Sequence, residues 1–195
     1  MWMLNFEEIN PYYEKVTLIG MMGTGKSKYG RLVANNLKFN FYDIDLLIEK
    51  KFKTTIKILF QKYGEPFFRN IEKETIKKLI YQIKENNEKV IISIGGGGFD
   101  IEETRELLLN NTNVIWLNTP INILVERIGN GSKRPMIKGD VRESINKLLE
   151  KRTKFYSLSH YQVNTNKLSQ NQVTEKIINL ISSQNNKEKN EIRNY

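Results

Sequence analysis

Short apolar runs alternate along the chain with longer segments in which apolar residues recur at helical spacing. Five of the runs predict strands: Lys15–Gly20, Phe39–Asp45, Lys89–Gly98, Asn113–Pro120 and Tyr161–Thr165. The helical patterns cover Lys26–Leu37, a polar region from 46 to 83, Ile121–Ile128, Val141–Phe155 and 171–183. Strand–helix alternation of this kind predicts a parallel sheet with helices on both faces, joined by right-handed crossovers. The predicted fold class is α/β, with three α/β/α layers around a central five-stranded parallel sheet.

The length and composition predict one globular domain. A chain of 195 residues with 39% hydrophobic and 27% charged residues is typical of a folded protein rather than a disordered one. We place the core at about residues 15–183, followed by a polar, flexible tail at 184–195. The chain has no Cys, no apolar run long enough to span a bilayer and no signal-peptide pattern at its start. We therefore expect a cytoplasmic protein without disulfides.

The formal net charge of +9 raises the question of a nucleic-acid partner. The basic residues are dispersed, however, and form neither a dense basic run nor a patch interleaved with aromatic residues. Dispersed positive charge is typical of solvated surfaces, and it also favours acidic small substrates. We therefore expect small-molecule ligands, without nucleic acid or membrane partners.

The stretch GMMGTGKSKYG, which begins at Gly20, lies between the first predicted strand and the first predicted helix. It contains G-x-x-x-x-G-K-[ST], the pattern of a phosphate-binding loop. Glycines let successive N–H groups point at one anion, and the start of the helix adds partial positive charge. Lys26 is placed to reach the β- and γ-phosphates, and the Ser27 hydroxyl to reach Mg²⁺. The loop predicts binding of a nucleoside triphosphate but does not identify the reaction.

Two carboxylates follow in YDIDLL, at the end of the second predicted strand. Alternate strand residues share a face, so we expect Asp43 and Asp45 both to point into the crevice at the strand ends. Carboxylates there can anchor Mg²⁺ through its water shell or orient an acceptor hydroxyl. A D-x-D pattern alone is equally typical of a solvated turn.

Three arginines are candidates for binding anionic groups. Arg69 and Glu72 lie one helical turn apart, as in a surface ion pair or in a pair that orients the arginine toward an anionic substrate. Arg134 lies in NGSKRPMI, a polar connection that fits a mobile lid over the transferring phosphate. Arg152, in LLEKRTKFY, is either a second anion clamp or solvated.

Four consecutive glycines end the third predicted strand, in IGGGGFD. One interpretation is a flexible loop. The carboxyl end of a buried strand, however, is the ligand side of such a sheet. Bare backbone at that position permits the close approach of a small polyol.

Six motifs occur together in a family-like order: GMMGTGKS, YDID, GEPFFRNIE, SIGGGG, KRP and KRTKFY. The chain resembles the shikimate kinase family, in the P-loop group related to nucleoside-monophosphate kinases, from about Val16 to Ile181. The resemblance implies a P-loop kinase fold with a substrate-binding region at about 45–75 and a lid at about 128–141. It also implies a monomer that uses ATP and Mg²⁺ to phosphorylate the 3-hydroxyl of shikimate, a step toward chorismate and the aromatic amino acids.

The matched motifs also imply roles for residues on the acceptor side. By this resemblance, Asp45 engages the shikimate hydroxyls, including the attacking one. Arg69 and Arg152 hold the shikimate carboxylate. The pocket is lined by Gly95, Gly96 and Gly97.

On the nucleotide side, the resemblance assigns ATP binding to the loop residues Gly23, Thr24, Gly25, Lys26, Ser27 and Lys28. Arg134 reaches ATP from the lid and completes a catalytic set with Lys26 and Asp45. Asp43 holds Mg²⁺ waters opposite Ser27, and Arg127 stacks on adenine.

Two positions depart from the family pattern. Lys28 stands where the family usually has Thr, which alters an expected α-phosphate contact. The stretch TKFY after Arg152 lacks a proline that is common there. We expect direct in-line transfer without a phosphoenzyme, since the chain has no Cys and its lone His160 lies outside every motif, where a packing or helix-end role is expected.

Three alternatives remain open at this point. The first is another P-loop small-molecule kinase, acting on gluconate or a nucleoside monophosphate. The second is a GTP-binding switch, although the nearest text to its N-K-x-D motif, NKLS at Asn166–Ser169, lacks the Asp. The third is a nucleic-acid-binding ATPase, which the net charge suggests and which predicts steeply salt-dependent binding.

Overall fold

The computed structural model describes residues 13–132 and 134–192. These residues contain the strands β1 (Lys15–Ile19), β2 (Asn40–Asp43), β3 (Val90–Ser93), β4 (Asn113–Asn118) and β5 (Tyr161–Asn164). The helices are α1 (Lys26–Leu37), α2 (Ile44–Phe52), α3 (Ile56–Glu85), α4 (Glu102–Leu109), α5 (Ile121–Ile128), α6 (Val141–Tyr156) and α7 (Gln170–Ile192). A short 3₁₀ helix, Gly98–Asp100, precedes α4. The expectations for residues 1–12, and for Lys133 of the KRP motif, lie outside the described residues.

The strands form one parallel sheet in the order β2-β3-β1-β4-β5, which confirms the predicted α/β class. Helices α1 and α7 pack on one face, in a cluster that includes Val33 and Ile177. Helices α2 to α6 pack on the other face, in a cluster that includes Ile48. Successive residues of β3 serve the two clusters in turn, as strand geometry requires, with Ile91 in the first and Ile92 in the second.

The strands that carry the predicted site end at one level. Leu18 of β1 and Asp43 of β2 both pair with Ser93 of β3. On the other side of β1, Ile19 pairs with Trp116 of β4. The loops after β1, β2 and β3 therefore leave the same edge of the sheet, where open α/β sheets bind their ligands.

The junction after β2 differs from the prediction. The strand ends at Asp43, and Asp45 lies in the first turn of α2 instead of on a strand. The Asp43 carboxylate caps α2 by accepting a hydrogen bond from the Leu46 N–H at 3.3 Å, which favours a helix start over a longer strand. The prediction that the two carboxylates share a strand face is therefore wrong.

Two helices also differ from the sequence pattern. The pattern did not predict α4, which follows closely on four glycines and has few apolar positions in its 8 residues. Helix α7 continues to Ile192, past the predicted end at 183, while the flexibility of the tail stays a prediction. None of the helices in the described ranges is long and apolar enough to cross a bilayer.

The long helix α3 is interrupted at Gly64, whose φ of 79° and ψ of 173° are not helical. Pro66 follows, and proline is tolerated there because the first turn of a helical segment needs no N–H partner. We call residues 56–63 the front segment and residues 65–85 the rear segment. The front segment buries Leu59, whereas the rear segment buries six side chains: Phe68, Glu72, Ile76, Leu79, Ile80 and Ile83. The rear segment thus belongs to the core, and the front segment forms a rim.

Candidate active site

The phosphate loop follows β1, and its main chain gives it its shape. Gly20 and Gly25 have φ angles of 137° and 91°, in the region that favours glycine. A Cβ on Gly20 would also lie only 2.6 Å from the Leu117 carbonyl oxygen of the neighbouring strand. The Thr24 hydroxyl donates a hydrogen bond to the Met21 carbonyl at 2.9 Å, which closes the loop on itself. The N–H groups are therefore arranged for an anion before one arrives.

Lys26 is buried at the start of α1, where its ammonium folds back over the loop. Its Nζ donates hydrogen bonds to the carbonyl oxygens of Gly20 at 2.8 Å and Met21 at 2.9 Å. Burial lowers the pKa of Lys26 to about 8, although the nearby charge of Asp45 acts in the opposite direction. The positive charge of Arg134 adds to the lowering. Ordinary neutral pH therefore leaves the ammonium mostly charged.

Ser27, Asp43, Asp45 and Arg134 line one cavity of about 470 Å³. Asp43 is 8% exposed, and Ser27 lies at the exposed first turn of α1. Among the described residues, no group of three or more His, Cys, Asp or Glu side chains could hold a metal ion. A hydroxyl and a carboxylate in a shared cavity nevertheless are the hard oxygen donors that Mg²⁺ takes when water and phosphate complete its shell.

Asp45 reaches this cavity from α2, although it does not lie on the predicted strand. Burial raises the pKa of Asp45 to about 7, and the carboxylates of Glu72 and Asp43 act in the same direction. The positive charges of Lys26 and Arg134 act against that rise. A carboxyl group with a pKa near neutrality is suited to orient a hydroxyl group and to take its proton.

Arg69 is held by two carboxylates of its own helix. Its Nη1 lies 2.6 Å from Glu72, which is fully buried, and its Nη2 lies 3.1 Å from the more exposed Glu65. The guanidinium also lies over the rings of Phe60 and Phe68, at 5.9 and 5.4 Å from their centroids. These contacts orient the arginine far more firmly than a surface ion pair does.

Arg152, on α6, is 2% exposed and therefore is not a solvated side chain. Its Nε donates a hydrogen bond to Asp100 Oδ2 at 3.0 Å. Its Nη1 lies 3.8 Å from the sulfur of Met21, in the phosphate loop. Arg152 thus touches the glycine-rich segment after β3 and the loop after β1 at once.

The glycine turn, Gly95–Gly98, runs between these charged groups. A Cβ on Gly97 would overlap the guanidinium of Arg69 and lie 2.7 Å from Arg152 Nη2. A Cβ on Gly95 would overlap Glu72 and lie 3.2 Å from Asp45. Gly97 has a φ of −98°, which any residue adopts, so close approach rather than backbone conformation explains glycine here. The structure therefore brings all the acceptor-side residues predicted from the sequence around one stretch of backbone.

Sequence reasoning missed Tyr156. Its hydroxyl donates a hydrogen bond to the Gly96 carbonyl at 2.5 Å and also lies 3.9 Å from the Met21 sulfur. Its ring lies 5.7 Å from that of Trp116, and burial raises the pKa of the hydroxyl. The available signal was its place four residues after Arg152, which puts both side chains on one face of α6.

The connection between α5 and α6 contributes Arg134 to three adjoining cavities, of about 470, 570 and 430 Å³. The smallest is also lined by Gly23 and Arg127. Arg127 Nη1 donates a hydrogen bond to the Gly23 carbonyl at 3.2 Å, so this arginine lies against the phosphate loop. Its stacking on adenine stays a prediction, as does the contact of Lys28, which is exposed on the first turn of α1.

His160 lies outside this site, at the junction between α6 and β5. Its Nδ1 accepts a hydrogen bond from the Val114 N–H of β4 at 3.0 Å, and burial lowers its pKa. A neutral histidine that satisfies a main-chain donor has the packing role expected from the sequence.

Comparisons with known proteins agree on one family. The model of the shikimate kinase family matches residues 22–182. The shikimate kinase of Zymomonas mobilis is 39% identical over 170 residues, which cover 87% of this chain and 94% of that protein. The shikimate kinase of Persephonella marina is 38% identical over 167 residues, which cover 85% of this chain and 98% of that protein. A solved structure of the Acinetobacter baumannii shikimate kinase in complex with shikimate has a TM-score of 0.80 at 30% identity, covering 86% of this chain and 92% of that one.

Proposed function

The chain belongs to the shikimate kinase family, and we propose that its site transfers the γ-phosphoryl group of ATP to the 3-hydroxyl of shikimate, giving shikimate 3-phosphate and ADP. The observation that carries this assignment is the convergence of Arg69, Arg152 and Asp45 on the glycine turn. A carboxylated polyol needs a cationic fork for its carboxylate and a carboxylate for its hydroxyl groups. The complex of the Acinetobacter baumannii relative with shikimate supports the same acceptor.

On the donor side, the phosphate loop binds the ATP phosphates through its main-chain N–H groups. Lys26 exchanges its two carbonyl partners for oxygens of the β- and γ-phosphates, and its burial strengthens that interaction. Arg134 approaches from the lid and neutralises charge on the phosphoryl group in flight. Arg127 binds the nucleotide beside Gly23.

On the acceptor side, Arg69 and Arg152 fix the shikimate carboxylate, so that the opposite side of the ring presents its hydroxyls to Asp45. Asp45 orients the 3-hydroxyl for in-line attack on the γ-phosphorus. As the new O–P bond forms and the bond to ADP breaks, the hydroxyl proton passes to the Asp45 carboxylate. No phosphoenzyme is formed, because the acceptor oxygen itself attacks.

The residues present fit a Mg²⁺ ion. The Ser27 hydroxyl would bind it directly, and Asp43 would bind its waters from the same cavity. Asp43 is pre-positioned for this by its hydrogen bond to the Leu46 N–H, which fixes one carboxylate oxygen. When bound, Mg²⁺ neutralises charge on the β- and γ-phosphates.

We further propose that the protein is a cytoplasmic monomer without nucleic-acid or membrane partners. The monomer is the state that the resemblance to the shikimate kinase family implies. The basic residues that give the +9 charge are also dispersed along the sequence, without the dense basic run that is typical of nucleic-acid-binding segments. Sedimentation at assay concentration tests the monomer, and a filter-binding series over salt concentration tests nucleic acid.

A coupled ADP-release assay tests the proposed reaction. Shikimate, gluconate and nucleoside monophosphates are offered as alternative acceptors, with ATP or GTP as donor. We expect rapid, Mg²⁺-dependent release with ATP and shikimate alone, and a product phosphorylated at the 3-hydroxyl by phosphorus NMR. A Lys26→Met preparation controls for contaminating kinases. A clear preference for gluconate or a nucleotide acceptor would refute the assignment.

A further inference from the structure

We propose that Asp100 is a positioning residue for the acceptor: it fixes the guanidinium of Arg152 so that the two Nη groups face the glycine turn. The inference rests on the proposed function, because it concerns how the acceptor carboxylate is bound. Asp100 ends the 3₁₀ helix that continues the glycine turn, so one short segment both lines the pocket and holds its second arginine.

The geometry divides the donors of Arg152 between two tasks. Its Nε donates to Asp100 Oδ2 at 3.0 Å. Nη1 and Nη2 face the other way, since they would lie 3.2 and 2.7 Å from Cβ atoms added to Gly96 and Gly97. Arginine presents its N–H donors as a rigid planar fork, so an anchor at Nε determines where the two Nη groups point. Nη1 and Nη2 of Arg152 can then donate two parallel hydrogen bonds to the two oxygens of one carboxylate.

Asp100 is itself fixed by the main chain and by α4. Its N–H donates to the Gly97 carbonyl at 3.2 Å. Arg105 of α4 donates through Nη1 to the Asp100 carbonyl, also at 3.2 Å, and lies 4.7 Å from the ring centroid of Phe155 on α6. These contacts hold the main chain of Asp100 between α4 and α6, so they fix the point from which its carboxylate reaches Arg152. A residue that orients another side chain needs a fixed position of its own.

The two arginines of the pocket differ in how they are supported. Arg69 has two ion-pair partners, Glu65 and Glu72, whereas within the described residues the ion-pair partner of Arg152 is Asp100. Loss of Asp100 therefore removes this ion pair of Arg152 and leaves the charge of buried Glu72 as a weaker, longer-range partner. Arg152 is also 2% exposed, so water cannot easily replace the missing acceptor at Nε.

The first test compares Asp100→Ala with Asp100→Asn. Alanine removes the acceptor for Nε, and we expect the KM for shikimate to rise about tenfold or more with the KM for ATP changed less than about twofold. Asparagine keeps a carbonyl oxygen at the same distance, so it should rescue the KM for shikimate to within about threefold of wild type. If the alanine variant does not fold, Asp100→Ser replaces it, because the serine side chain is too short for its oxygen to reach Nε of Arg152.

A double variant separates positioning from a general structural role. In an Arg152→Met background there is no guanidinium or other cation for Asp100 to hold, so adding Asp100→Ala should leave the KM for shikimate unchanged. Glu103→Ala, which removes an exposed ion pair with Lys73 near the same turn, is the matched control and should behave as wild type. Equal effects of Asp100→Ala with and without Arg152 would overturn the proposal, as would an unchanged KM for shikimate in the single variant. Wild type failing to phosphorylate shikimate would instead overturn the proposed function.

Discussion

The phosphate loop presents main-chain atoms to its ligand, whereas the acceptor side presents charged side chains held by opposite charges. In the donor half, Gly20 to Lys28, two carbonyls hold Lys26 and glycine geometry sets the N–H groups. In the acceptor half, Arg69 and Arg152 are each held by carboxylates against the glycine turn. The donor half is contiguous in sequence, while the acceptor half joins segments that only the sheet brings together.

The two halves should respond differently to substitutions. Most substitutions leave main-chain N–H donors in place, so the donor half depends strongly on one side chain, Lys26. The acceptor half spreads its recognition over several side chains, so single changes there should weaken acceptor binding in steps.

The largest effect is expected for Lys26→Met, which keeps most of the length of the side chain but removes its charge. The proposed transition state places charge on the phosphate oxygens beside Nζ, so kcat should fall about a thousandfold. Steady-state ADP release measures this, with the melting temperature as a check on folding. A fall of less than about tenfold would place the main charge stabilisation elsewhere in the donor half.

Asp45→Asn tests the group shared by both halves. Asparagine still fits beside Lys26 but cannot accept the hydroxyl proton, so kcat should fall about a hundredfold or more. Nucleotide affinity, measured by calorimetry without shikimate, should remain within about twofold because Asp45 does not touch the phosphate loop's N–H groups. Normal turnover in this variant would remove Asp45 from the mechanism.

Arg69→Lys tests how the acceptor half recognises the shikimate carboxylate. Lysine keeps a positive charge opposite the buried Glu72 but loses the planar fork, so shikimate affinity should fall about tenfold. Separate calorimetric titrations with shikimate and with ATP should show the loss for shikimate alone. Equal losses for both ligands would mean that the two halves are not independent.

The pH dependence should report one titrating group from each half. The pKa of Asp45 is about 7 and that of Lys26 is about 8. The active free enzyme needs Asp45 as a carboxylate and Lys26 as an ammonium, so the pH must lie above the first pKa and below the second. The kcat/KM for shikimate should therefore rise up to about pH 7 and decline above about pH 8, with roughly a tenfold loss per unit on the acid side. The acid limb should vanish from the residual activity of Asp45→Asn.

The smallest effect is expected for Lys28→Thr, which introduces the residue that the family resemblance leads us to expect there. Lys28 is exposed at the first turn of α1, where surface substitutions change little, so the KM for ATP should shift by about twofold. The KM for shikimate should not change. An effect above about tenfold would mean that Lys28 contacts the nucleotide strongly.

The sequence predicted local features better than long-range ones. Patterns within a few residues predicted the phosphate loop and the helices α1 and α5. The structure confirms the predicted bounds of both helices. Asp45 was misplaced on a strand because a cap at Asp43 ends β2 early. Tyr156 and Asp100 were not recognised, because their partners Gly96 and Arg152 lie 60 and 52 residues away. The helical spacing of Tyr156 and Arg152 places them on one face of α6, but it does not show which distant segment that face contacts.

The interruption of α3 at Gly64 divides one helix into two units of unfolding. Helical cooperativity passes from residue to residue through consecutive helical backbone angles, and Gly64 does not have them. The front segment is anchored by Leu59 alone among its buried residues, whereas the rear segment has six. Amide protons of residues 56–63 should therefore exchange with solvent through local opening, while those of 65–85 wait for opening of the core. The front segment can therefore melt and re-form while the ion pairs of Arg69 with Glu65 and Glu72, which lie in the rear segment, stay in place.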